Sequence, residues 1–175
     1  MKLLQIMLIV GVAMQANKPA NSRPDVPDAI KAPAGEELVL KVHATGAQIY
    51  VCRQEADGKF SWALKAPEAE LRDDQGGLIG RHYAGPSWTH NDGSTITGKA
   101  TAKVEYPDSI PWLLVAVNGH SGSDGVLSRV ATIQRIHTQG GQAPASGCSA
   151  DALNHEVKSS YSADYYFYAP GNSGK

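Results

Sequence analysis

The chain is short of net charge, of cysteine and of helical periodicity, and each shortage argues against a class of protein. Its formal net charge is −1 over 175 residues, so we expect no general attraction to nucleic acid or to acidic membranes. The two cysteines, Cys52 and Cys148, form no Cys-x-x-Cys pair, which argues against a thioredoxin-like redox site and a zinc knuckle. No long segment keeps a helical period, and 18 Gly and 10 Pro residues disfavour a mostly helical fold.

The N-terminus has the pattern of a secretory signal peptide. Lys2 supplies a positive charge, residues 3–14 form an apolar run, and a polar, Pro-rich stretch follows. The run is shorter than the about 20 residues needed to cross a bilayer. We therefore expect residues 1–16 to be removed after Ala16, with Ala13 as the alternative last residue. A buried amphipathic helix is the other interpretation of this run.

The predicted mature chain is a secreted or periplasmic protein of one domain, without a membrane span. Residues 17–36, rich in Pro, Ala and Asn, predict a flexible lead-in that is ordered only where it docks. Residues 37–170 predict a single β-rich domain. Because an even cysteine count in an exported chain favours a disulfide, we expect a Cys52–Cys148 bridge. Two buried thiols are the alternative.

Turn signals recur about every 10 to 18 residues between runs that favour β structure, which is typical of antiparallel strands. The loop at residues 56–58 ends in glycine, as a three-residue hairpin loop requires. Its register places four side chains on one inward face, namely Tyr50, Cys52, Trp62 and Leu64.

Two apolar segments favour strands with a buried face. The run IPWLLVAVN is apolar on both of its faces, as expected of a strand covered on both sides. In YSADYYFYAP, one face carries Tyr161, Ala163, Tyr165 and Phe167, so Tyr166 and Tyr168 on the other face would be exposed or meet a partner. The predicted fold is all-β, an antiparallel sandwich or closed barrel of about eight to ten strands.

The chain also contains, in this order, YVC, FSWALKAPEAEL, GLIGRHYAGPSW, DGSTITGK, IPWLLVA, GVLSRVATIQRIHTQGGQAPASGC and YSADYYFY. In these motifs it closely resembles the exported bacterial and fungal proteins grouped as domain-of-unknown-function family 3455. The resemblance extends from about Val39 to Tyr168, nearly the whole predicted mature chain. It implies a single exported β-rich domain. It implies no catalytic residue, because no activity is assigned to the family.

The stretch GLIGRHYAGPSWTHNDGS, residues 77–94, is the best candidate for a binding site. Aromatic rings and arginine supply the stacking faces and hydrogen-bond donors used to recognise sugars and small ligands. Strand alternation puts Arg81 and Tyr83 on one face and His82 on the other. The ligand-binding candidates in this stretch are Arg81, His82, Tyr83, Trp88, His90 and Asp92.

The alternative is that the aromatic residues of this stretch are scaffold. Tyr83 and Trp88 would then fill the core, with His82 hydrogen-bonded beside them. The loop register pairs Trp88 with apolar Ile96, whereas Arg81 and His82 precede a Gly-Pro bend. We therefore expect Trp88 to be structural, and Arg81 and His82 to lie near a functional cleft.

Other patterns support catalysis less well. His90 and Asp92 flank a turn, and no His-x-His or His-Glu-x-x-His motif supplies the convergent ligands of a transition metal. Residues 119–125 contain Ser, His and Asp, but triad members normally lie far apart and the nucleophile-elbow motif is missing. The Gly-Gly pair within residues 138–142 lacks the Lys of a phosphate loop. We predict no metal and no cofactor, and we assign no catalytic residue.

Two classes of function remain open from the sequence. The first, which we favour, is a non-catalytic exported domain that binds a small molecule, a glycan or a protein partner. The second is a hydrolase or metal-dependent enzyme that uses the His82 region. The sequence identifies neither the ligand nor the oligomeric state.

Overall fold

The fold is that of a computed structural model, which describes residues 22–171. The predicted signal peptide, residues 1–16, lies outside the described residues. The described chain contains eight β-strands and two single turns of 3-10 helix, at Asp28–Ile30 and Ala150–Ala152. The strands are β1 (Glu36–Gln54), β2 (Phe60–Arg72), β3 (Leu78–Tyr83), β4 (Ser87–His90), β5 (Ser94–Tyr106), β6 (Ser109–Gly122), β7 (Thr132–Gly140) and β8 (Glu156–Pro170). None of the helices in residues 22–171 has the length and apolar character needed to cross a membrane.

The eight strands form one antiparallel sheet. Each strand pairs with its neighbour in sequence, and β8 pairs with β1, so that the sheet closes on itself as a barrel. The predicted all-β antiparallel fold is confirmed, with a strand count inside the expected range. All other pairings join strands that are consecutive in sequence. The β1–β8 pairing joins the two ends of the described chain and spans Glu36 to Val51 on β1.

The first hairpin has the predicted register, but it buries fewer side chains than predicted. Cys52 pairs with Trp62 and Tyr50 pairs with Leu64. Cys52 and Tyr50 are buried, whereas Leu64 is 57% exposed and Trp62 is half-buried. The prediction of four clustered inward side chains is therefore wrong for Leu64, because the first half of β2 has no strand on its other side.

The predicted disulfide is present. Cys52 and Cys148 are bonded, with 5.3 Å between their Cα atoms. The bridge ties the loop before β8 to the end of β1, and the backbone of Cys52 reinforces this by pairing with Asn154 and His155. The loop between β7 and β8 is thereby held against one end of the barrel.

Side chains of alternate residues fill the barrel interior, as the pleat of each strand requires. On β8 the inward face carries the expected set of Tyr161, Ala163, Tyr165 and Phe167. Several inward positions are small, including Ala44 and Gly98. A Cβ added at Gly98 would lie 2.6 Å from Val115 Cγ1, so glycine allows β5 and β6 to approach closely.

The outward tyrosines of β8 are buried by the chain's own lead-in. Val26, Ile30 and Ala32 pack on the outer face of the barrel against Tyr166 and Tyr168. A buried polar chain fastens them: the Tyr168 hydroxyl donates to Gln134 Oε1 at 2.6 Å, and Gln134 Nε2 donates to the Ile30 carbonyl at 2.6 Å. The expectation that Tyr166 and Tyr168 are exposed or meet a separate partner is therefore wrong.

The short hairpin of β3 and β4 leaves an opening in the wall of the barrel. β3 pairs with β2 only over residues 69–72, and β4 pairs with β5 only over residues 95–97. Within residues 22–171, no strand pairs with the β3 side of β2 before Ala69 or with the β4 side of β5 after Thr97, although β5 continues to pair with β6 on its other side. The unpaired edge of β2 and the unpaired edge of β5 lie on either side of a gap. The β3–β4 turn, with Pro86, borders this gap at the end nearest β3 and β4.

Candidate functional site

A cavity of about 300 Å³ lies inside the barrel beneath this opening. Its rim is formed by side chains from the two edges and from the β3–β4 turn: Leu64, Pro67, Pro86 and Ala100. Its inner wall is largely apolar, with Trp88, Ile110, Leu113 and Val115. The opening explains why Leu64, a large apolar residue, is exposed: it stands at the mouth of the cavity.

His82 and Trp88 form one side of the cavity. Their rings are stacked, with 4.3 Å between centroids and 10° between planes. Tyr165 packs against both rings in an edge-on arrangement, at 5.4 Å from His82 and 6.0 Å from Trp88. Trp88 pairs with Ile96, as the loop register predicts. Because all three rings are buried and interlocked, the shape of this wall is determined by packing.

Burial keeps the His82 imidazole neutral. Desolvation lowers the pKa of His82 from 6.5 to about 4, against the opposing effect of its hydrogen bond to the Ser87 carbonyl. His82 Nδ1 lies 2.8 Å from that carbonyl, so Nδ1 carries the proton and Nε2 is the acceptor nitrogen. The charge of Arg135 contributes further to the low pKa.

Several residues in or near the cavity wall carry buried polar atoms without a hydrogen-bond partner of normal geometry. Among the described residues, Gln48 Oε1, Trp88 Nε1 and the hydroxyls of Tyr161 and Tyr165 are buried and accept or donate no hydrogen bond within the protein. Burial strongly raises the pKa of Tyr161, so that hydroxyl stays protonated. An unpaired buried polar group costs about 1–3 kcal/mol.

Arg135 brings a positive charge to the cavity. It lies on the inward face of β7, two residues after buried Ile133. Its Nε and Nη2 atoms donate to the Pro111 carbonyl, at 3.2 and 2.8 Å. That carbonyl is available because β6 is irregular between Ser109 and Leu113. Within residues 22–171, Arg135 forms no ion pair with a carboxylate.

The structure divides the sequence-predicted site residues between the two faces of the sheet. His82 and Trp88 face the cavity, whereas Arg81 and Tyr83 are exposed on the outside of β3. The Tyr83 hydroxyl lies 2.9 Å from Thr89 Oγ1 on the outer surface. Arg81, His82 and Tyr83 line a second depression, of about 400 Å³, with the acidic residues Glu68 and Glu70 of β2. Because adjacent strand residues point to opposite faces, Arg81 lies outside the barrel, whereas His82 faces the cavity and also borders the outer depression.

His90 and Asp92 lie at the β4–β5 turn, away from the residues that line the cavity. Asp92 accepts hydrogen bonds from the Ser94 amide at 2.8 Å, the Ser94 hydroxyl at 2.6 Å and the Val126 amide at 2.8 Å. These bonds, that from the Ser94 hydroxyl foremost, lower the pKa of Asp92 well below its usual range. Asp92 thus anchors the loop after β6 to this turn. Within residues 22–171, no three His, Cys, Asp or Glu side chains are grouped so that they could hold a metal ion.

Sequence reasoning missed Gln48, Arg135 and Tyr165 as residues of this cavity. They come from β1, β7 and β8, which are far apart in sequence and meet only when the sheet closes. One signal was present for Arg135: alternation places this charged residue on the same face as Ile133. A charge on an otherwise apolar face is a reason to suspect a site.

Comparison with known proteins gives one match. The model of the family described as "Protein of unknown function (DUF3455)" matches residues 33–169. No curated protein and no solved structure matches the chain significantly.

Proposed function

This chain belongs to the DUF3455 family, whose description assigns no activity, and we propose that it is a non-catalytic binding protein that holds a small, largely apolar molecule in its barrel. The observation that carries this proposal is the cavity beneath the β3–β4 opening. Concave, mostly apolar pockets with a few polar groups are the usual form of small-molecule sites. Among the ligand classes open from sequence, this geometry favours a small molecule over a glycan or a protein.

The dimensions of the cavity limit the ligand. At the packing density of a protein interior, a cavity of about 300 Å³ encloses a molecule of roughly 220 Å³, the scale of about ten carbons. A polymer could enter only by its end. The exposed rim residues Leu64 and Ala100 provide apolar contacts for the part of the ligand that remains in the opening.

The cavity wall favours binding over catalysis by His82. The imidazole is stacked on Trp88, and its Nδ1 is committed to the Ser87 carbonyl. A base with a pKa of about 4 is far from the value near the working pH that general-base catalysis favours. A hydrolase or metal-dependent enzyme is the alternative, and turnover or stoichiometric bound metal in the purified protein would support it.

The emission of Trp88 provides a local test of binding. In a Trp62→Phe/Trp112→Phe background, Trp88 is the sole tryptophan, and titration with 1-decanol should change its fluorescence in a saturable way. Ala100→Phe places a ring at the rim and should weaken this binding at least tenfold. Lys99→Phe is the matched control, because Lys99 is exposed and does not line the cavity.

Two results would count against this proposal. One is a Trp88 emission that does not respond to 1-decanol or to any member of a neutral apolar compound library. The other is equal binding by the Ala100→Phe and Lys99→Phe proteins, which would place the ligand elsewhere.

We further propose that the protein is exported, to the periplasm or the medium. The Cys52–Cys148 bridge supports this, because disulfides persist mainly in oxidising compartments. The intact mass of protein recovered outside the cytoplasm should correspond to a chain that begins after Ala16. A recovered product that still carries residues 3–14 would contradict the cleavage.

A further inference from the structure

The charge of Arg135 has no counterpart in the cavity that it lines. The residues that form the cavity include no Asp and no Glu, and the imidazole of His82 is neutral near pH 7. Across the sheet, Arg135 pairs with Leu113 on β6 and with Tyr165 on β8. The guanidinium therefore stands among apolar and uncharged neighbours.

The guanidinium is held on one side and keeps donors for another group. Arg135 has five N–H donors in a planar fork, and the two recorded bonds both go to the Pro111 carbonyl. A carbonyl orients the guanidinium but does not neutralise it. Arg135 is half-buried, and an anion that pairs with its remaining N–H donors would gain charge-assisted hydrogen bonds in an apolar surrounding.

Tyr165 contributes an uncharged aromatic wall beside Arg135. It lies directly opposite Arg135 in the β7–β8 pairing, it lines the same cavity, and it is 1% exposed. Its hydroxyl has almost no accessible surface and interacts with the Tyr161 hydroxyl, so it does not open on the cavity. The remaining N–H donors of Arg135 therefore supply the site, and they suit a carboxylate, whose two oxygens accept several hydrogen bonds.

We propose that the ligand of this cavity is a hydrophobic monoanion, an apolar body with one carboxylate or comparable acidic group that pairs with Arg135. This inference rests on the proposed binding function and adds the charge of the ligand to it. The apolar wall around Trp88 takes the body, and the Arg135 side of the cavity takes the acid.

Three probes with one chain length separate charge from burial: decanoate, 1-decanol and decylammonium. Each is titrated at pH 7.5 into the protein in which Trp88 is the sole tryptophan. Decanoate should bind about 10- to 100-fold more tightly than 1-decanol, the gain expected of a charge-assisted hydrogen-bonded pair. Decylammonium should bind more weakly than 1-decanol.

Substitution of the arginine should remove the preference for the acid and leave the apolar contribution. In Arg135→Gln, decanoate should lose its advantage over 1-decanol, and saturable 1-decanol binding that persists shows that the cavity is intact. Arg135→Lys should keep part of the preference, because it keeps the charge and loses the fork. Arg81→Gln, on the exposed outer face, is the control and should leave the preference unchanged.

The outcomes separate this inference from the proposed function. Equal affinity for decanoate and 1-decanol, or tighter binding of decylammonium, would overturn the assignment of charge and leave the binding function standing. A decanoate preference that survives in Arg135→Gln would overturn the role of Arg135. Absence of binding by all three probes and by the neutral library would overturn both.

Discussion

The buried imidazole of His82 should make the stability of this protein depend on pH between about 6.5 and 4. In the unfolded chain His82 takes up a proton near its ordinary pKa of 6.5, whereas burial lowers the folded-state pKa to about 4. The unfolded state therefore binds more protons in this interval. Stability is complete above pH 6.5, falls as the pH is lowered toward 4, and loses nothing further from this group below that.

The size of the effect follows from the two pKa values. A tenfold difference in proton affinity corresponds to about 1.4 kcal/mol, so the change from 6.5 to about 4 amounts to about 3 kcal/mol of unfolding free energy. Because His82 is 3% exposed, solvent screening reduces this value little. An effect of this size is a large part of the about 5–15 kcal/mol that stabilises a typical domain.

Urea denaturation of the wild type and of His82→Asn at a series of pH values tests this reasoning. The asparagine amide can still donate to the Ser87 carbonyl, but it does not titrate. The advantage of the wild type over the variant should shrink by about 3 kcal/mol between pH 7 and pH 4. His155→Asn, the same exchange at an exposed position, measures the effect of the substitution itself. A difference between wild type and His82→Asn that stays constant within about 0.5 kcal/mol would refute the argument.

Two further predictions concern the scaffold. Trp88→Ala should lower the free energy of unfolding by about 3–5 kcal/mol in chemical denaturation, as truncation of a buried aromatic does. Trp88→Phe should lower it by only about 1 kcal/mol, because the indole N–H has no protein partner to lose. Equal stability of Trp88→Ala and wild type would contradict the structural role. The double variant Cys52→Ala/Cys148→Ala removes a bridge between residues 96 apart and should lower the free energy of unfolding by up to about 4–5 kcal/mol, the value from the chain-entropy relation. Reduced wild type is the control. A double variant as stable as the oxidised wild type would show that the bridge does not stabilise the fold.

Local regularities of the sequence predicted much of the fold. The glycine at the end of each short loop determined the register that pairs Cys52 with Trp62 and Trp88 with Ile96. Alternation identified the inward face of β8. These features depend on residues close in sequence and on the two-residue period of a strand, so they do not require knowledge of the rest of the chain.

The candidate site was predicted only in part, because it is assembled from distant strands. Sequence reasoning selected His82 and Trp88, which face the cavity, together with Arg81 and Tyr83, which do not. A cluster of polar and aromatic residues in the sequence does not reveal which of their side chains point toward a cavity. Nor does it show that Arg135, some fifty residues later, lines the same space.

By itself, then, the sequence determined the elements: strands, their turns, the register of local hairpins and the residues able to form a disulfide. The tertiary structure alone decided what those elements enclose. Closure of β8 on β1 brings Gln48, Arg135 and Tyr165 around one space, and the shortness of β3 and β4 opens it between β2 and β5. The lead-in likewise buries Tyr168 only in the folded chain, where Val26 and Ile30 pack against it. Each of these depends on contacts between residues far apart in sequence, and such contacts exist only once the sheet has closed.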